Sequence, residues 1–349
     1  IKDILKIRVY ESYAGTVIND DLSHRWTRLV MSTALHGGFK ELDMDIPMPL
    51  EQAWLWLHRE GAVGKHYDHI EVQDGVDVVW EGRIVDIGLR LSPAFVGINL
   101  TAFGYWSSMK DQLYDAGDGG NTDWALGGPH NTGKIIRELI TKECPDINGT
   151  ADVTLSPEDV VGIDLTARSY PMDIIVDKLA PLAGTGTAVY YFGIWEDRKP
   201  VWKARSVDNV DWHTNLAQVG QLNLIQQGKH LRNYVLPVVG TAEGTGSLDV
   251  DGTTLYPRRE MFLQLQTGVP TTAANNARDA TIRERRNPAQ DQSFSIKGSV
   301  WSTKIGNLSQ GTSGAFENKP KWWVRAGDVV RIQDLVPDSA ATGTLDNLR

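Results

Sequence analysis

Between His69 and Trp106, apolar and polar residues alternate in runs broken only by turn residues. Within 76–87, Val76, Val78, Trp80 and Ile84 stand against Asp77, Glu81 and Arg83, a period near two that predicts a pleated strand with one buried face. Asp74-Gly75 precedes that run and predicts a tight hairpin turn, because Gly accepts positive φ. Residues 91–94 break the chain before 95–103 resume the pattern, so 69–106 is expected to be a β-meander. Ahead of it, 4–10, 26–34 and 39–48 read as strands. Pro49 then opens a helix in which Leu50, Ala53, Trp54 and Leu57 share one face.

Beyond Trp106 the pattern changes. A Gly- and Asp-rich loop at 115–121 leads to a helix carrying Ile135, Ile136, Leu139 and Ile140, and then to one carrying Met172, Ile175, Val176 and Leu179. Residues 188–195 and 200–205 form a hairpin through 196–199. Strands return at 230–240 and 254–266, and Pro270-Thr271 starts a helix lined by Ala273, Ala274, Ala277 and Ala280. Further strands follow at 294–301 and 322–335. Each outer region thus reads as strands, one helix, strands, a likeness of architecture without a residue-level repeat. The expected fold class is mainly β with α+β inserts: a first β-domain at 1–107, a mixed α+β insert region at 108–228, and a second β-domain at 229–349. Ile1 in place of an initiating Met, and an end at Arg349 without a stop signal, point to a piece of a longer chain.

Composition narrows the function classes. A chain of 349 residues exceeds one small core, and 41% hydrophobic with 23% charged residues is ordinary for a folded protein. Gly 34 and Trp 12 favour turn-rich β-structure and large buried surfaces. The net charge of −9 argues against gripping a phosphate backbone. Cys144 alone excludes an internal disulfide and a multi-cysteine zinc site. No apolar run is long enough for a membrane helix.

Motifs that resemble chemistry fail on context. Gly128 to Lys134 has phosphate-loop spacing, but Ile135 stands where a hydroxyl should hold magnesium and no apolar strand precedes it, so it reads as a turn and helix start. Asp249 and Asp251 match a phosphatase D-x-D-G-T signature, yet the Gly-rich residues 240–247 before them make a poor buried strand and favour a hairpin tip. His66 and His69 flank an acid without a visible third ligand, and are expected to be solvated. Cys144 has no activating His nearby, and no G-x-S-x-G elbow occurs. Asp43 and Asp45 alternate on a strand and are expected to line a solvated face. The expectation is therefore no catalytic residue, no cofactor and no metal.

Several stretches, taken in order, resemble one family. These are 36–54, with its Gly-Gly-Phe strand before the Pro-started helix, 79–87, 100–114, 169–184 with the 195–202 hairpin, and 278–288 with 324–335. Together they are similar to the tail hub protein of long-tailed bacteriophages, also called the baseplate hub or the structural amino-terminal part of tail-associated lysins. The resemblance implies a homotrimer whose first and last domains are tail-tube-like β-barrels or sandwiches, giving a pseudo-sixfold ring at the virion's tail tip. It implies partners above, the tail tube or distal tail ring, and below, tip or fibre proteins. It also implies a channel through which phage DNA is ejected without specific binding. A lumen carrying carboxylates would repel DNA phosphate. Candidate interface or channel residues are Trp80, Trp106, Trp322, Trp323, Glu71, Asp77, Glu81 and Asp86. The alternatives are a hexameric distal tail ring protein, and a carbohydrate-binding β-protein using Trp322-Trp323 or Trp54 and Trp56.

Overall fold

The computed structural model describes residues 5–13, 15–19, 22, 25–58, 66–114, 130–153, 159–160, 169–183, 190–204, 211–227, 229, 231–244, 247–248, 258–265, 269–285, 289–296, 299–302, 317–328, 330–333 and 347–348. The Gly-rich loop at 115–121, Gly128, and the Asp249–Asp251 turn lie outside the described residues.

The chain enters through β1 (Leu5–Tyr10), β2 (Val17–Asn19), β3 (Arg28–Ala34) and β4 (Gly37–Pro47). In β1, strict alternation buries Leu5, Ile7 and Val9 and leaves the intervening residues half-buried. Helix α1 (Leu50–His58) follows. Its expected four-residue apolar face is corrected: Ala53 is buried, whereas Leu50 and Trp54 are exposed. Ala53 lets this short helix lie close to the sheet, with Leu57 half-buried and Leu50, Trp54 and Leu55 outside.

The meander forms as expected from β5 (His69–Asp74), β6 (Asp77–Ser92) and β7 (Phe95–Phe103). Asp74 pairs with Asp77 around a Gly75-Val76 loop, where Gly75 adopts φ +66°. The one-buried-face reading of β6 needs correction, because every residue from Val79 to Ile84 is buried. One face packs into the core of its own sheet around Phe39, and the other is covered by later residues, Arg198 at Glu81 and Ser107 and Asp111 at Arg83.

A 3-10 turn at Tyr105–Lys110, β8 (His130–Asn131), α2 (Thr132–Glu143) and β9 (Asp159–Val160) follow. Asn131 caps α2 by accepting from the Gly133 N–H at 3.0 Å, so Gly133 and Lys134 form the first helical turn, in keeping with a helix start. Ile135, Ile136, Leu139 and Ile140 are all buried on its inner face. Next, α3 (Pro171–Asp173) runs into a π-helical stretch, Ile174–Leu179, where the Ala180 N–H reaches Ile175 O at 2.8 Å. The hairpin of β10 (Tyr190–Trp195) and β11 (Lys199–Ala204) is present where the sequence places it.

This hairpin joins the first sheet. The sheet runs β11-β10-β4-β7-β6-β5-β1-β2, with β3 also paired to β4. The junction is a short parallel pairing of Gly193-Ile194 with Gly37-Gly38. Gly38 is required there: it adopts φ +80°, and a Cβ would lie 2.1 Å from Ile194 O.

The remaining strands are β12 (Trp212–Asn215), β13 (Val219–Gln227), β14 (Tyr234–Val239), β15 (Ala242–Glu243), β16 (Ser247–Leu248) and β17 (Glu260–Leu265). After α4 (Thr271–Arg285) come β18 (Ala289–Ile296), β19 (Ser299–Ser302), β20 (Glu317–Pro320), β21 (Val330–Gln333) and β22 (Asn347–Leu348). One sheet has the order β20-β19-β12-β21-β22, β13 pairs β18, and β14 sits among β15, β16 and β17. Residues 321–323, expected as strand, form a 3-10 turn.

Two large apolar clusters hold the molecule. The first fills the face of the sheet from Leu5 to Ala102 around Phe39, Trp80 and Trp195. The second runs from Tyr105 through α2, α3 and β10. It takes in Leu265, Val269 and the Ala273, Ala274 and Ala277 face of α4. Close backbone approach explains the small residues on α4.

Candidate functional site

His69, Glu71 and Glu81 offer ligand atoms within 4.8 Å of one another inside the first sheet. Residues two apart on a strand share a face, which places His69 beside Glu71 on β5. A β-bulge between Val72 and Gln73 then sets Glu71 opposite Glu81 of β6. Two carboxylates directly opposite would repel each other, so neighbouring groups must settle their charge.

The His69 ring is 1% exposed; its Nδ1 lies 2.7 Å from the Tyr105 hydroxyl and its Nε2 2.8 Å from Glu71 Oε1. The other Glu71 oxygen accepts from Gln73 Nε2 at 2.7 Å and from the Tyr10 hydroxyl at 3.2 Å. Glu81 is 1% exposed and accepts at Oε1 from the Arg198 backbone N–H at 2.5 Å. That N–H comes from the β10–β11 hairpin tip, where Asp197 and Arg198 adopt φ +59° and +56°, left-handed conformations uncommon for side-chain-bearing residues. The Arg198 guanidinium stacks 3.6 Å over the Tyr13 ring and donates to Asp146 O at 2.8 Å.

The two carboxyls titrate in opposite directions. Burial opposes the Glu71 charge, but hydrogen bonds from His69, Gln73 and Tyr10 outweigh it and hold the group below the usual carboxylate range. Burial, with the Glu71 and Asp197 charges, pushes Glu81 up to about 8 against the Arg198 N–H. At neutral pH Glu71 carries the charge and Glu81 the proton. Burial also raises the Tyr105 and Tyr13 hydroxyls.

A second constellation ties late residues to the first sheet. The Trp322 and Trp323 indole N–H groups both donate to Asp74 Oδ2, at 3.1 and 2.8 Å. Arg325 pairs through both terminal nitrogens with Glu196 and sits 5.0 Å over the Trp195 ring. The Ala326 N–H reaches Thr33 Oγ1 at 2.9 Å. Asp328 accepts from Trp212 Nε1 and the Arg325 N–H, both at 2.8 Å.

The structure distributes the sequence candidates unevenly. Trp80 and Glu81, expected at an interface or channel, are 1% exposed within the subunit: the Arg198 turn covers Glu81, and Trp80 packs 6.2 Å from the Phe39 ring. Asp77 and Asp86 are exposed, and Glu71 is half-buried in the cluster. Trp106 is half-buried, with its N–H on Lys40 O at 3.2 Å. His66 and His69 part company, since the His66 ring lies at the surface on Val85 O while His69 turns inward. Asp45, expected on a solvated face, is 4% exposed and held by Arg90 and Asn99, beside an Arg28–Asp43 pair. Burial and nearby acids push the Cys144 thiol up to about 12, which leaves it protonated. The His69 cluster was missed by the sequence reading; its local trace is the His-x-Glu spacing on β5 and the lone acid Glu81 within an apolar run.

No family model matches the chain, and no curated protein matches it by sequence. Solved structures do. The chain is similar to a tail protein from Neisseria meningitidis MC58 at 12% identity, covering 94% of this chain and 86% of that one with a TM-score of 0.58. It is similar to the 43 kDa tail protein of prophage MuSo2 from Shewanella oneidensis at 12% identity, over 98% and 91% of the two chains, with a TM-score of 0.54. A third is the prophage tail protein gp18 from Listeria monocytogenes EGD-e, at 10% identity over 94% and 84% with a TM-score of 0.50. The chain has the mainly β fold of these phage tail proteins.

Proposed function

We propose that this chain is a structural tail hub protein. It assembles as a homotrimer into a pseudo-sixfold ring at the phage tail tip, joins the tail tube or distal tail ring to threefold tip or fibre proteins, and leaves a channel for DNA ejection. The observation that carries the reading is similarity along nearly the whole length of three tail proteins. Two β-rich regions, 1–107 and 229–349, would each supply a tube-like unit, so that three copies present six. Exposed carboxylates such as Asp77 and Asp86 suit a wall that DNA slides past. The role is architectural rather than catalytic. Trp322 and Trp323, which a carbohydrate-binding reading would need as an open platform, commit their N–H groups to Asp74.

Particle symmetry tests the proposal. Native mass spectrometry and electron microscopy of the purified chain with its tail-tube partner should give three copies per ring. Six copies would instead make it a distal ring protein, and a monomer at every concentration with the partner present would overturn both.

A further inference from the structure

We propose that His69, Glu71 and Glu81 form a binding site for one divalent first-row transition cation, with zinc the chosen probe, that fastens the β10–β11 hairpin tip to the first sheet. Three observations carry this. The donor atoms converge within 4.8 Å, and on a common ion with bonds of about 2.0–2.2 Å they would stand roughly 3–4 Å apart, so small side-chain movements suffice. Each ligand is already held by its other atom. Tyr105 takes His69 Nδ1, Gln73 and Tyr10 take Glu71 Oε2, and the Arg198 N–H takes Glu81 Oε1. That leaves His69 Nε2, Glu71 Oε1 and the second Glu81 oxygen for the ion, the pattern in which outer hydrogen bonds orient metal ligands. Finally, two carboxylates, Glu81 buried and Glu71 half-buried, stand directly opposite each other on neighbouring strands, a like-charge pairing that a dication would bridge.

The donor set selects the ion. One imidazole with two carboxylates suits zinc or manganese, whereas magnesium and calcium favour all-oxygen shells and soft ions want thiolates. Glu71 keeps 14% of its side chain exposed beside Tyr10, so solvent reaches this ligand. Binding displaces a proton from Glu81 and replaces the His69–Glu71 hydrogen bond, so affinity rises with pH across the range where Glu81 ionises. The inference is independent of the proposed assembly.

The test uses the full chain stripped with chelator and titrated calorimetrically with zinc chloride, with magnesium chloride in parallel. One zinc per chain, micromolar or tighter, with no matching magnesium response, is expected. Glu81→Gln keeps the acceptor oxygen and the size of the protonated acid, so the metal-free variant should fold with a melting temperature equal to the native chain's near pH 5 and lose at least 100-fold in zinc affinity. His69→Gln should lose a similar factor, while His66→Gln leaves binding intact. Cobalt substitution adds a spectroscopic check: visible bands of bound cobalt should vanish in Glu81→Gln. Absence of zinc binding by the native chain, or binding undiminished in Glu81→Gln and His69→Gln, would overturn the site.

Discussion

Glu81 sits where both the hairpin tip and β5 press on β6, and its carboxyl is raised to about 8 from an ordinary 4.5. Because the folded chain keeps this proton while the unfolded chain has lost it, stability falls as pH rises from about 5 to 8 and then levels. Glu71, held low, acts the other way: its contribution is present above its ordinary range and is lost on further acidification. Metal-free melting curves should therefore decline between pH 5 and 8, and Glu81→Gln should flatten that decline without altering the acid limb. Burial above all, then the Arg198 N–H and the charges of Glu71, Asp197 and Arg198, set the midpoint. Trp80 gives a second residue-scale test. Its ring is fully buried, so Trp80→Ala should cost about 3–5 kcal/mol in denaturant unfolding. Trp80→Phe should cost much less, because it also removes a buried indole N–H that lacks a partner among the described residues. Much of this was beyond the sequence. Alternation identified β6, yet a period of two says nothing about what later covers its second face. The register also hid: simple continuation from Gln73↔Val78 would set Glu71 opposite Trp80, and only the bulge before Gln73 brings Glu81 there.

At the scale of elements, glycine shows the difference between a turn and a junction. Gly75 turns β5 into β6 with positive φ and open space around it, so Gly75→Asn should cost well under about 1 kcal/mol. Gly38 joins β4 to β10 with positive φ and a carbonyl in the way. Gly38→Ala should cost about 2 kcal/mol or more in urea unfolding and detach the β10–β11 hairpin, read by faster amide exchange at Phe192 and Ile194. Local patterns foretold α2, the helical segment from Met172 to Leu179, though not its π-helical winding, and the hairpin itself, because their apolar spacing is intrinsic to each segment. The pairing of β10 with β4 joins residues more than a hundred positions apart and leaves no local periodic signal. In α1 the spacing misled, since of the helical stripe Ala53 is buried and Leu57 half-buried while Leu50 and Trp54 stay exposed.

For the whole molecule, the bond between Asp74 and the Trp322-Trp323 pair is the long-range tie to test. Asp74→Ala removes an acceptor shared by two indoles, and should cost about 1.5–3 kcal/mol and shift tryptophan emission to the red. The chain shares its fold with tail proteins at identities near a tenth, so likeness of shape does not require likeness of residues. The same tie orders events in time. During synthesis β5 and β6 emerge early, but the hairpin that covers Glu81 and the residues that clasp Asp74 follow roughly a hundred and two hundred and fifty residues later. At typical translation speeds of ~5–20 residues per second, the first sheet waits many seconds with an uncovered face. Its polar residues then serve the nascent chain as protection: Glu81 on one face and Asp74 on the other, solvated until their partners arrive, keep the sheet from packing against a neighbour before the subunit is complete.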